Sequence, residues 1–413
     1  MRSVLSSIIG LLVAGAASAA GSTSDLATEA RSILGPDQGV YIETASGQVL
    51  LAQAASQAVH PASVSKIPTT LALLRKFGPE HRFVTSFKTS GRVVSGVLVG
   101  DLLVDCGGDP AFVDEDALLV ADRLSEMGIK QVRGNLLLRG TLTFDWQSDE
   151  DGSRLQRALS GATSSLALAT VRAFEAADPN GSAPKPGSLH AQGIRFEPSA
   201  LLPAGAPVQE RVLIIHRSQP LLPLAKSLND YSNNIFKPLA DQAGGASAVE
   251  SLARSVVPEL MRQEIILGDG AGTDPRNRLS PRVAVNLLRA LDKELHTTHH
   301  ALFDILPVSG IDDGTLRHRL DGPEEVGRVV GKTGTFGDYG ASALVGAIST
   351  TDQGTVYFAI LNHNVPVPEA RRRQDRFVRA LLAHLHSQPW DYQRDVRPAI
   401  ARAEVLMAPP IAP

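Results

Sequence analysis

Near its start the chain changes apolar period twice. After Arg2, an apolar run through Leu5, Ile8, Ile9, Leu11, Leu12 and Val13 ends at Ala17-Ser18-Ala19. A charged start, a short hydrophobic stretch and a small-x-small site describe a secretory leader, so residues 1–20 are expected to be a signal peptide cleaved near Ala20 or Gly21. Apolar residues at 40–42 and 49–51 then flank Ala45-Ser46-Gly47-Gln48, which predicts two strands joined by a tight turn. From Ser63 the period becomes helical, with Ile67, Leu71 and Leu74 spaced by four and three, and the helix is expected to end before Gly78-Pro79.

Between residues 85 and 214 the texture is different: short runs such as Leu98-Val99, Leu102-Leu103-Val104 and Leu136-Leu137-Leu138, cut by Gly and Asp. One helix is expected there, from Asp114 to Met127, stopping at Gly128. Pro179, Gly181, Pro184, Pro186 and Gly187 mark a loop or linker over 178–188. Beyond Pro220 the helical texture returns. Strand-like runs at 341–348 and 355–361 surround Thr350-Thr351-Asp352-Gln353-Gly354, a second hairpin, and a last helix is expected from Pro368-Glu369 to about His386, burying Phe377, Val378, Leu381, Leu382 and Leu385. The expected layout is one domain built from 21–84 and 215–390, a strand-rich domain of 85–214 inserted in it, and a peripheral tail of 391–413.

A length of 413 residues suits two domains, and 43% hydrophobic with 20% charged residues is ordinary globular usage. A formal charge of -3 with no basic clustering argues against nucleic acid as a partner. No stretch of the mature chain is long enough to span a bilayer, although weak membrane contact through the tail stays open. The single cysteine, Cys106, rules out an intramolecular disulfide and is expected to be a buried structural thiol.

Chemistry enters with Ser63-Val64-Ser65-Lys66, which sets a hydroxyl and an amine three apart, on one helix face. For Lys66 to act as a base near neutral pH, burial or a cationic neighbour must lower its pKa by about three units, and Lys332 is the candidate neighbour. Pro68 predicts a local kink near Lys66. Alone, this spacing is expected by chance about once in such a chain. Ser232-Asn233-Asn234 adds a hydroxyl and a carboxamide in a polar break, and Lys332-Thr333-Gly334-Thr335, expected at only about one chance in ten, leads into the strand-like run at Ala341. The three elements occur in the order Ser-x-x-Lys, Ser-x-Asn, Lys-Thr-Gly that penicillin-binding proteins and serine β-lactamases share. His296, His299 and His300 lack an acidic or cysteine constellation, and Gly268-Asp269-Gly270-Ala271-Gly272 lacks the residues of a phosphate loop, so neither metal nor cofactor is expected.

The chain resembles D-alanyl-D-alanine carboxypeptidase/endopeptidases of the penicillin-binding protein 4 type, peptidase family S13, over most of the mature sequence. The segments that carry the likeness are His60-Pro61-Ala62-Ser63-Val64-Ser65-Lys66 with Thr69-Thr70, Gly100-Asp101-Leu102 with Gly107-Gly108-Asp109-Pro110, Ser232-Asn233-Asn234, Asp269-Gly270-Ala271-Gly272 with Asn277-Arg278-Leu279-Ser280-Pro281, Leu306-Pro307 with Asp313-Gly314-Thr315-Leu316, and Lys332-Thr333-Gly334-Thr335. Pro238, the Ala271, Thr273 and Asp274 positions and the extra residue of Asp312-Asp313 depart from the family pattern.

The resemblance implies an α/β (α+β) fold: a penicillin-binding, serine β-lactamase-like transpeptidase domain with an inserted strand-rich domain. It implies a periplasmic serine carboxypeptidase acting on peptidoglycan stem peptides, with endopeptidase action left open and β-lactams as covalent inhibitors. Ser63 would be acylated, Lys66 would take its proton and Ser232 would relay a proton to the leaving amine. Asn234 would hold the substrate amide, Lys332 and Thr333 would face the terminal carboxylate, Gly334 would let the substrate lie against backbone, and the N–H groups of Ser63 and Thr335 would form the oxyanion hole. The alternatives are a β-lactamase or esterase on the same scaffold, for which no extra deacylating carboxylate is evident, and a non-catalytic cell-wall-binding protein.

Overall fold

The computed structural model describes residues 25–177, 188–197, 209–338 and 340–408. The expected signal peptide and most of the Pro/Gly-rich stretch lie outside them. The described residues fall into two compact units, one drawn from 1–79 and 225–394 and the other from 80–224 and 395–413.

The first unit is built on an antiparallel sheet. Its strands lie in the order Val329–Phe336, Ala341–Thr350, Gly354–His363, Gly39–Thr44, Val49–Gln53, with Ser387–Gln388 pairing beside Ala341–Thr350. Both expected hairpins are present, and the first turns at Gly47, whose φ of 91° suits a residue without a Cβ. Gly39–Thr44 is buried along its whole length, as is nearly all of Ala341–Thr350, because the sheet is covered on both faces. On one face the helix Val367–His384 packs Phe377, Val378 and Leu381 against Ile348, Phe358 and Ile360, together with Leu26, Ala30 and Leu34 from the helical residues 25–34. On the other lies the helix Pro281–His296, against which Lys66–Phe77 packs. Pro281 opens that helix and the Ser280 hydroxyl caps it by accepting from Val283 N at 3.2 Å, which explains the Leu-Ser-Pro element of the sequence.

The second unit carries an eight-stranded mixed sheet, in which Leu102–Cys106 runs parallel to Gln131–Arg139 and antiparallel to Val84–Thr89. Phe87, Val104, Phe112, Val120, Leu136 and Leu138 form its core. The expected helix is present as Asp114–Glu126, but two more, Ser153–Leu159 and Ser165–Ala176, make this unit less purely stranded than the sequence suggests. The tail, expected to be peripheral, instead supplies the strand Glu404–Met407, which pairs with Arg211–Arg217, and buries Ile400. Four residues are too few for periodicity to register in the sequence. Cys106 is half-buried, and burial pushes its thiol up to about 12, where it is inert at neutral pH. No helix among the described residues is long and apolar enough to cross a membrane.

A fully buried histidine braces the core of this unit. His216 Nε2 lies 3.0 Å from Asp116 Oδ1, and Nδ1 lies 3.5 Å from Asp109 Oδ2. Burial alone would depress the imidazole, yet the two carboxylates hold it above its ordinary value, while burial pushes Asp109 up to about 7 against the pull of His216. Replacing His216 with alanine leaves two buried carboxylates without their cation. A loss of about 3–5 kcal/mol is expected in denaturant unfolding, and a loss under about 1 kcal/mol would show that the cluster carries no net charge pairing.

Candidate active site

All the chemistry-bearing residues singled out in the sequence belong to the first unit. The chain enters the site at Ala62, held at φ 49°, and passes through a single 3-10 turn, Ala62–Ser65, before the α-helix Lys66–Phe77 begins. Such a φ is strained for alanine and persists only where neighbours enforce it. Here they do. His60 stacks on Phe336 at 3.9 Å and accepts from Ala62 N through Nδ1 at 3.1 Å, its Nε2 bonded to Asp274 O at 3.0 Å. Gly272 presses so close that a Cβ there would lie 2.0 Å from Ala62 O.

The late helix start also removes the expected kink. Pro68 is the third α-helical residue, where a backbone N–H has no intrahelical partner to lose. Pro238 occupies the same position in the helix Phe236–Gln242 and is equally harmless.

Lys66 and Lys332 have 0% exposure, and no other lysine among the described residues is buried. Lys66 Nζ donates to Ser63 Oγ at 2.8 Å, Asn234 Oδ1 at 3.2 Å and Ala271 O at 2.5 Å. Burial lowers this amine to about 7, with the Asp269 carboxylate pulling the other way. Of the two causes the sequence offered, burial and the Lys332 charge, burial does the work. The Lys66 charge acts on Lys332: burial drives Lys332 well below its ordinary value, Lys66 pushes it further, and Asp230 opposes both. Burial also works against Asp269, but hydrogen bonds outweigh it and hold the carboxylate below its ordinary range; it accepts from Gly272 N at 2.8 Å, Thr273 N at 2.9 Å and Asn277 Nδ2 at 2.8 Å. That turn fixes the Ala271 carbonyl against Lys66.

Ser232 follows the helix Leu221–Asp230 in a left-handed conformation, φ 56°. Thr315 N donates to Asp230 O at 2.8 Å, and a Cβ on Gly314 would meet that oxygen at 2.1 Å, so the Asp-Gly-Thr element pins the chain just before Ser232. Lys332 Nζ donates to Ser232 Oγ at 2.9 Å and to Thr333 O at 3.0 Å. A Cβ on Gly334 would lie 2.6 Å from Pro61 O, which brings the strand Val329–Phe336 against the entry to the turn. Thr333 is buried and Thr335 exposed, its hydroxyl accepting from Arg371 Nη2 at 2.8 Å.

The structure thus gathers Ser63, Lys66 and Asn234 in one hydrogen-bonded set and Ser232 with Lys332 in another, the two coupled through the charges of the lysines. Sequence reasoning passed over Asp269 as a charge, and over an ion cluster behind Ser232. There Lys226 Nζ donates to Leu306 O at 2.6 Å and Asp312 Oδ2 at 2.5 Å and lies 3.7 Å from Asp230 Oδ1. Burial pushes Asp230 up to about 7 despite Lys226. The i,i+4 spacing of Lys226 and Asp230 was the available signal. No group of three or more potential metal ligands occurs among the described residues.

The D-Ala-D-Ala carboxypeptidase 3 (S13) family matches this chain over residues 21–173 and 156–384. A D-alanyl-D-alanine carboxypeptidase of Actinomadura sp. (strain R39) is 25% identical over 429 residues, covering 80% of this chain and 78% of the relative. The D-alanyl-D-alanine carboxypeptidase DacB of Haemophilus influenzae is 29% identical over 161 residues, and the match spans only about a third of either protein, 36% of this chain and 33% of the relative. Among solved structures, a penicillin G-acylated predatory endopeptidase of Bdellovibrio bacteriovorus superposes with a TM-score of 0.73 at 19% identity, covering 89% of this chain and 99% of that one. Penicillin-binding protein 4 of H. influenzae superposes at 0.61 with 20% identity and the same coverage.

Proposed function

Because the chain belongs to the D-Ala-D-Ala carboxypeptidase 3 (S13) family, we propose that it is a periplasmic serine carboxypeptidase that removes the terminal D-alanine from peptidoglycan stem peptides through an acyl-enzyme on Ser63. The observation that carries this reading is the Lys66 amine, fully buried, lowered to about 7 and 2.8 Å from the Ser63 hydroxyl. Half of such an amine is neutral at pH 7, against about three in ten thousand for an ordinary lysine.

Lys66 takes the Ser63 proton as Oγ attacks the penultimate D-alanine carbonyl. The Ser63 and Thr335 N–H groups receive the developing oxyanion, where each donor contributes about 3 kcal/mol. Ser232, bonded to Lys332, passes a proton to the departing amine, and Asn234 holds the substrate amide. The C–N bond breaks, D-alanine leaves, and water hydrolyses the ester to regenerate Ser63. The leader-like residues 1–20 support export to the periplasm.

Incubation with a defined pentapeptide muropeptide, followed by mass spectrometry, is expected to show loss of one D-alanine. Conversion of cross-linked dimers to monomers in the same assay would add endopeptidase action. Fast multiple-turnover hydrolysis of penicillin with no D-alanine release would instead assign a β-lactamase on this scaffold.

A further inference from the structure

Arg371 is built into the rim of the site by the elements around it. On the helix Val367–His384 it lies three residues before Gln374, so the two side chains share a face. Gln374 is buried and donates to Ser342 Oγ at 3.2 Å and Asn362 Oδ1 at 2.8 Å. Ser342 is the register partner of Thr335 across the two strands, and Arg371 Nη2 donates to the Thr335 hydroxyl at 2.8 Å. Helix and strand are thus tied at one rung, and Val367 N donates to Asp338 O at 3.0 Å at the helix start. The guanidinium is held over the exposed end of the Lys-Thr-Gly-Thr strand.

Its charge is not answered locally. Arg372 and Arg373 both pair with Glu369, at 2.6 and 2.8 Å, and Arg319 pairs with Asp375 at 2.6 Å. Among the described residues no carboxylate pairs with Arg371. Partial burial and the Arg319 charge work against its protonated form, with Asp375 opposing, so an added anion would be favoured there. Thr333 and Thr335 are two apart on the strand and share a face, and an anion lying against both hydroxyls comes within reach of the guanidinium fork, which matches a carboxylate in shape.

We infer that Arg371 is a specificity residue that binds the terminal carboxylate of the peptide substrate alongside Thr333 and Thr335. This rests on the carboxypeptidase reading above and names the group by which the site tells a free C-terminus from a blocked one.

The test compares two peptides ending in D-alanyl-D-alanine, one a free acid and one a C-terminal carboxamide, on the wild type, R371Q and R371K. The wild type is expected to prefer the free acid by on the order of 10- to 100-fold in kcat/KM, as for loss of a charge-assisted hydrogen bond. R371Q should bring that ratio close to one, chiefly through a higher KM for the free acid, and R371K should restore part of it. Arg371 is exposed, so an unchanged unfolding midpoint checks that the variants fold. An undiminished ratio in R371Q, or equal loss of both peptides, overturns the assignment alone. A wild type that cleaves neither peptide, releasing neither D-alanine from the acid nor D-alaninamide from the amide, overturns the carboxypeptidase reading and the assignment together.

Discussion

Ser63→Ala is expected to abolish the covalent penicillin adduct and to slow D-alanine release by at least about ten-thousandfold. The hydroxyl is the only atom removed, and it lies on a turn whose geometry is set by His60, Gly272 and Gly334 rather than by Ser63 itself. The fold should therefore survive, and the loss reports chemistry alone. By transition-state arithmetic this is about 5.5 kcal/mol or more. Intact-mass measurement after penicillin exposure checks the adduct on a peptide containing Ser63, and a D-alanine release assay checks turnover. An S63A variant that still acquires the adduct at the wild-type rate would remove Ser63 from the mechanism.

The second large effect concerns the base. Lys66→Met keeps most of the volume of the buried stem and removes the amine, and acylation by penicillin should fall on the order of a thousandfold. The wild-type pH profile follows from the sign of the shift. An amine accepts a proton only when neutral, and burial lowers Lys66 from the ordinary lysine value to about 7. Acylation should therefore rise with pH through about 7 and level off above it, losing roughly tenfold per pH unit on the acid side. Stopped-flow acylation rates between pH 5 and 9 give the profile. A rate that keeps climbing toward pH 10 would mean that Lys66 titrates as an exposed lysine and is not the base.

Much of this site could be read from order and spacing. Ser-x-x-Lys, Ser-x-Asn and Lys-Thr-Gly each combine a chemistry-bearing side chain with a local backbone requirement, so they remain visible in a one-dimensional string. Both hairpins of the first unit were equally legible, because their turns carry Gly47 and Gly354 between apolar runs. The helix start was misread by three residues because periodicity locates an apolar face but not the switch from a 3-10 turn to an α-helix, and Pro68 then looked like an interruption. The charges of Lys226, Asp312 and Asp269 escaped notice for another reason: a charged residue is normally solvated, and only tertiary packing turns it into part of a site. Arg371, one of three consecutive arginines, reads as solvent-facing surface until its neighbours are found paired with Glu369 and it is not.

The mutual burial of two lysines has a consequence for how the site would respond to its substrate. With so little water around them, the amines cannot both carry charge cheaply, and the proton inventory is shared between them. On the proposed roles, a peptide terminus arriving beside Lys332 favours the ammonium there, and that ammonium in turn keeps Lys66 unprotonated. Substrate recognition would then switch on the nucleophile's own activation, with no moving part beyond one proton.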